Sequence, residues 1–294
     1  MVDYLIYKSN ETEVDLNKVK QFESHGDFNK IGVQILQEIG TLVITISAIV
    51  RKDNTGKIVP FNKEEAALVG NLVRFGKLGV AFVEQFTKPR LETSMIFFRC
   101  MAETYVNLKY FLKFGDQHTL KHYIKNSLRQ EWKLLEIIRE KTKDKEVLLD
   151  IEKRMIESIQ RSFDTSEFNS DEMNNSSKWD TKIKERISEI IDPSFYTLIY
   201  GNGSHAIHGN WQDIINFHLE KHEDGFIPDT TWTMPTFQLI NAATILSCDL
   251  LRNYCEEVLP NDDEKTKLLH TISDIGYRSM EVDKLHEEFM KHNR

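Results

Sequence analysis

The chain has 294 residues and a mass of 34.4 kDa, with 40% hydrophobic and 29% charged residues but only 13 Gly and 6 Pro. That is enough apolar material to bury a sizeable core, and it excludes a disordered or collagen-like chain. Lys and Arg total 38 against 46 Asp and Glu, a formal net charge of −8, which disfavours indiscriminate binding to nucleic acid or anionic membranes but allows a local basic face.

Cys100, Cys248 and Cys255 form no CxxC pair, so neither a disulfide framework nor a zinc ribbon is expected. Met1-Val2-Asp3-Tyr4 lacks a basic region followed by an apolar one. The longest apolar candidate, Ile39 to Val50, falls short of the roughly 18 unbroken residues that span a bilayer. A cytoplasmic protein with no membrane partner is the expectation.

Residues 1–17 read as a polar lead-in. From Lys18 to Arg51 the Ile, Leu and Val spacing predicts a helix, with strand the alternative around the β-branched Leu42-Val43-Ile44-Thr45-Ile46. Asp53-Asn54-Thr55-Gly56 punctuates a turn. Asn62 followed by Glu64 and Glu65 predicts a helix start, with the helix running to about Thr87. A central helix follows over about 89–114, with Met95, Phe98, Ala102, Tyr105 and Val106 in its apolar stripe. Asp116 is placed to cap a further helix reaching about Lys143, and the helical pattern continues over 145–163. Residues 164–177 read as a polar, mobile loop. Ile183, Ile187, Ile190 and Ile191 mark a short helix closed by Asp192-Pro193. Helices at about 231–258 and from Asn261 or Asp262 to Lys291 complete an all-α, multi-helix bundle.

Four constellations bear on chemistry. Gly201-Asn202-Gly203-Ser204-His205-Ala206 matches a permissive dinucleotide-loop pattern, but its surroundings supply helices rather than the required parallel strands. The pairs His118/His122 and His218/His222 are spaced by four and His205/His208 by three. The His218/His222 segment reads as solvated helix surface, His205/His208 is the least implausible metal pair, and no metal or cofactor is expected. Arg99 and Glu103 sit four apart on the apolar central helix, where charges need partners or a polar cavity. Finally, Lys121, Lys125, Arg129 and Lys133 recur every four residues on one predicted helix. They lie within a stretch, 109–145, holding ten basic against five acidic residues. Such a row can track phosphates or form a solvated face.

The order Arg99-x-x-x-Glu103, Trp132, Trp179, Ile183-Lys184-Glu185-Arg186, Tyr196, Tyr200, Ser204 and His208-Gly209 resembles a bacterial helical family of unknown function. That family is similar to the HEPN superfamily of α-helical bundles. The resemblance covers roughly residues 63–258 and implies a HEPN-like core there, with residues 1–62 as lead-in and helix and 259–294 as a C-terminal helix. HEPN proteins include metal-independent ribonucleases of toxin–antitoxin and anti-phage systems, in which Arg and His on one helix act across a dimer. The resemblance implies His208 as general acid/base. Positions 201–203 hold Gly, Asn and Gly where that arginine would stand. Arg99 is therefore the candidate phosphate stabiliser, oriented by Glu103, with Ser204, Asn202 and His205 in support.

RNA, a homo-oligomeric copy and a protein partner or antitoxin are the implied partners, with Lys121, Lys125, Arg129 and Lys133 guiding the RNA backbone. The alternative is a non-catalytic interaction or regulatory module whose Arg, Glu, Ser and His groups form a structural polar network.

Overall fold

In the computed structural model, which describes residues 13–143, 145, 147–169, 173, 182–197 and 207–293, the chain is all-α. Two short antiparallel hairpins accompany the helices. The chain divides into two compact units, residues 1–113 with 183–294 and residues 114–182.

In the first unit, Asp15 caps a single turn, α1 (Leu16–Val19), and Ser24 caps α2 (His25–Ser47). The β-branched run is helical, because Leu42, Val43 and Ile46 fall on one face and are buried. The turn after α2 is a hairpin, β1 (Arg51–Lys52) with β2 (Ile58–Val59), tightened by Asp53 accepting from the backbone N–H groups of Thr55 and Lys57. Asn62 opens α3 (Lys63–Phe86) through a reciprocal capping box with Glu65. α4 is Leu91–Phe114.

After the second unit come α8 (Ile183–Ile190) and α9 (Trp211–Phe217), then a hairpin of β3 (Leu219–His222) and β4 (Gly225–Pro228). Two long helices, α10 (Phe237–Val258) and α11 (Asp263–His292), end the chain. α2, α10 and α11 pack on one another and α2 also packs on α3, so helices from both chain ends share one core.

That core centres on Phe28, Ile35, Ile39, Phe75, Phe237, Ile240 and Ile272, each contributing about 1.5–3 kcal/mol by burial. A Cβ on Gly32 would lie 2.8 Å from Ile240 Cγ2 and 3.0 Å from a Phe237 ring carbon, so glycine permits the close approach of α2 to α10. Glu38 on α2 accepts two bonds from Arg278 on α11, at 2.8 and 2.9 Å, in a nearly buried ion pair. The three cysteines are free. Burial pushes the Cys248 and Cys255 thiols up to about 12, which leaves both protonated.

The second unit holds α5 (Gln117–Ser127), α6 (Arg129–Thr142) and α7 (Asp150–Ser166) around Leu128, Leu135, Ile138, Ile159 and Phe163. Asp116 caps α5 as predicted, but one helix does not continue to Lys143. Buried Leu128 ends α5 and begins α6, at φ −75 and ψ −7. The expected loop over 164–177 is partly structured, since α7 runs to Ser166 and Phe168 and Met173 are buried in this core. Residues 170–172 and 174–177 lie outside the described residues.

α3 is long and apolar enough to cross a membrane, with a mean hydropathy of 1.5 over its most apolar 18-residue window, 28% of which is buried. Asn71, Arg74 and Lys77 break that window into short runs, which is why a search for an unbroken apolar run passes over it.

Candidate functional site

The central helix α4 turns one face to the core through Phe98, Met101, Ala102, Tyr105 and Val106. A second row, Arg99, Glu103 and Asn107, runs along it at intervals of four. Arg99 Nη1 donates to Glu103 Oε2 at 3.1 Å, with the Arg99 side chain 7% exposed and Glu103 at 47%. One end of the pair is thus desolvated and the other faces water. The spacing of Arg99 and Glu103 does produce an ion pair.

One turn further along α4, Asn107 accepts a short hydrogen bond from Nη1 of Arg186, a buried residue of α8. Lys113 Nζ donates to the Glu189 carbonyl near the end of the same helix at 2.7 Å, a favourable place for a cation. Phe195 packs on Tyr105 with ring centroids 5.8 Å apart. Residues 183–195 therefore dock along the C-terminal half of α4, and two guanidinium groups, from α4 and α8, line one polar seam.

Beside the seam, Asp249 of α10 accepts from Tyr105 Oη at 2.7 Å and from Lys109 Nζ at 2.5 Å. Burial and then the Asp249 charge push the Tyr105 hydroxyl far above its ordinary range, so it serves as a donor rather than as a base.

His208 lies in a helical turn just before Gly209, whose φ of +53 is left-handed, and Asn210 then caps α9. His208 is exposed, and among the described residues no hydrogen bond or ion pair joins it to Arg99 or Glu103. Ser204, Asn202 and His205, together with Tyr200 and the whole glycine-rich loop, lie outside the described residues.

The basic row does not sit on one helix as expected. Lys121 and Lys125 belong to α5, Arg129 and Lys133 to α6, and the joint falls at Leu128. Lys121 Nζ stands 6.0 Å over the Phe168 ring, and Lys133 is exposed. His118 and His122 do pair on α5, Nε2 to Nε2 at 2.9 Å. His218 and His222 do not share a helix face, because Leu219–His222 is a strand that turns back at Glu223-Asp224. Instead His218 meets Glu92 and Asp213.

Arg186 belongs to the resembling Ile183-Lys184-Glu185-Arg186 segment, yet the sequence alone gives it no place in the site. The signal lay in Asn107, which continues the row of Arg99 and Glu103 by four and needs a partner when it packs against another helix.

A known family matches residues 65–226, more than half of the chain. The chain belongs to this family, DUF5677, a family of unknown function. No curated protein and no solved structure matches the chain. The DUF5677 region includes the Arg99–Glu103 and Asn107–Arg186 seam and His208, while α10 and α11, which complete the core of the first unit, lie beyond it.

Proposed function

We propose that this DUF5677 protein is a HEPN-like, cytoplasmic effector that cleaves RNA without a metal ion or binds it, in a bacterial anti-phage or toxin–antitoxin setting. It works as a homo-oligomer controlled by a protein partner or antitoxin. The observation that carries this reading is the pair of nearly buried guanidinium groups, Arg99 and Arg186, held along one seam by Glu103 and Asn107. Guanidinium is the group best matched to phosphate oxygens, and a fixed orientation lowers the cost of binding them.

In this reading Arg99 stabilises charge on the phosphorane and Glu103 orients it. Exposed His208 moves the proton of the 2′-hydroxyl or of the leaving 5′-oxygen, with Ser204, Asn202 and His205 assisting. Lys121, Lys125, Arg129 and Lys133 follow the backbone.

Labelled total RNA and tRNA incubated with the full chain, with and without EDTA, test the reading against Arg99→Ala shown to be folded by circular dichroism. Cleavage by the wild type in both buffers, lost in the folded variant, is expected. No cleavage and no RNA retention by the wild type would refute it.

The low exposure of Arg99 favours a second reading, a non-catalytic interaction module in which the seam fixes helix register. It predicts a large loss of melting temperature for Arg99→Ala with no RNA activity to lose.

A further inference from the structure

Two pieces of the chain, the N-terminal end of α4 and α9 with its C-cap, converge on one cluster. Glu92 sits in the first turn of α4, Asp213 in the first turn of α9, and His218 between α9 and β3. His218 Nε2 lies 3.4 Å from Glu92 Oε1 and 3.7 Å from Asp213 Oδ2. One potential ligand atom from each residue falls within a 4.8 Å group.

Independently of that clustering, the Asp213 carboxylate is 3% exposed, and its other oxygen, Oδ1, is buried with no hydrogen-bond partner among the described residues. A buried carboxylate oxygen left unpaired is costly, and a cation bound beside it would offset that cost. Exposure rises outward from Asp213 through Glu92, at 21%, to His218, at 47%, so the cluster has an open side.

We infer that Glu92, Asp213 and His218 form a binding site for a divalent transition-metal ion of the zinc class. Two carboxylates and a neutral imidazole supply a net charge of −2 and a mixed oxygen and nitrogen donor set. Zinc ligand bonds of about 2.0–2.2 Å put tetrahedral neighbours roughly 3.3–3.6 Å apart. The two separations to His218 are close to that edge, whereas octahedral neighbours at the same bond length would sit near 3.0 Å. Three protein ligands leave the fourth position to water on the side where His218 is exposed.

The ion would tie the start of α4 to α9 and the β3–β4 hairpin. Nearby, the Leu91 N–H donates to the carbonyl of Thr233, in the segment between β4 and α10, at 2.9 Å, and the Asp229 N–H closes the hairpin on the His218 carbonyl at 2.9 Å. The site stands on its own geometry and does not depend on the RNA reading.

The test uses the full chain stripped with chelator and titrated with ZnCl2, with MgCl2 as the control. One zinc per chain by elemental analysis is expected. The melting temperature should rise by roughly 5–10 °C at a hundredfold excess over Kd. CoCl2 should give the intense visible bands of a tetrahedral site.

His218→Gln, half-exposed and safe for folding, and the isosteric Asp213→Asn should each abolish the shift, while His118→Gln should keep it. The inference is overturned by no zinc-dependent shift in the wild type, which would leave His218 as a contact between two carboxylates and no more. It is overturned equally by a shift that survives both ligand variants, which would put the metal on the His118/His122 pair, or by an equal shift with MgCl2.

Discussion

Replacing Glu38 by Ala removes the carboxylate that accepts two bonds, at 2.8 and 2.9 Å, from Arg278. The Glu38 side chain is 1% exposed and that of Arg278 is 12%, so the guanidinium left behind has little water to replace its partner. Breaking a buried pair from one side costs about 3–5 kcal/mol. Arg278 keeps a second carboxylate, since its Nε donates to Asp274 Oδ2 at 2.7 Å, which puts the expected loss near the lower end, about 3 kcal/mol. At roughly 2–4 °C per kcal/mol for a unit of this size, the melting temperature should fall by about 6–12 °C in calorimetry. Glu38→Ala combined with Arg278→Leu should recover part of the loss, because no charge is then stranded. A single variant melting within about 1 °C of the wild type would mean that α11 is not anchored on α2 through this pair, and the packing argument would fail.

Other perturbations separate rigid from yielding contacts. Gly32→Ala drives a methyl against Ile240 and Phe237, both buried, and should cost about 1–3 kcal/mol in urea unfolding. Gly76→Ala meets chiefly the free end of the partly exposed Ile44 side chain and should cost clearly less. His286 is buried among Phe28, Phe237 and Phe289, with its Nε2 3.2 Å from His25 Nδ1; desolvation and then His25 hold its pKa below 6.5. The neutral ring is therefore favoured in the fold, and its contribution is complete above pH 6.5. As the pH drops from there toward the folded value, the unfolded chain gains a proton that the fold refuses, and stability falls by up to about 1.4 kcal/mol per pH unit. His286→Gln should flatten that slope in pH-dependent denaturation. Changing Lys121, Lys125, Arg129 and Lys133 together to Gln should make the slope of log RNA affinity against log salt shallower by up to about 2.8, measured by filter binding; an unchanged slope would remove these residues from the RNA path.

Much of the helical framework was legible locally. Asn62 with Glu65 three residues later announced α3, Asp116 announced α5 and Asp262 announced α11, because caps are written in adjacent residues. The strand alternative at Leu42–Ile46 yields to helix because α3 and α10 bury one face of α2, a tertiary decision that β-branched composition does not reveal. The hairpin after α9 escaped for the opposite reason. Residues 218–222 are mostly polar with a histidine at each end, four apart, which imitates a helix surface, and the turn at Glu223-Asp224 is short. At the site, Arg99 with Glu103 was readable because both lie on one helix. Arg186 with Asn107 and His218 with Glu92 join residues far apart in the chain, and only packing brings them together. The split of the basic row falls at Leu128, whose backbone, at φ −75 and ψ −7, ends one helix and begins the next, a local bend that the regular charge spacing does not announce.

The RNA reading rests on His208 moving a proton at a phosphodiester, and single-turnover cleavage of labelled tRNA by wild type and His208→Ala tests it most directly. His208 is exposed, so the variant should keep the wild-type melting temperature, while general acid/base loss lowers the rate by about 10²–10⁴-fold. Equal rates in the two proteins, or no product from either, would contradict the account.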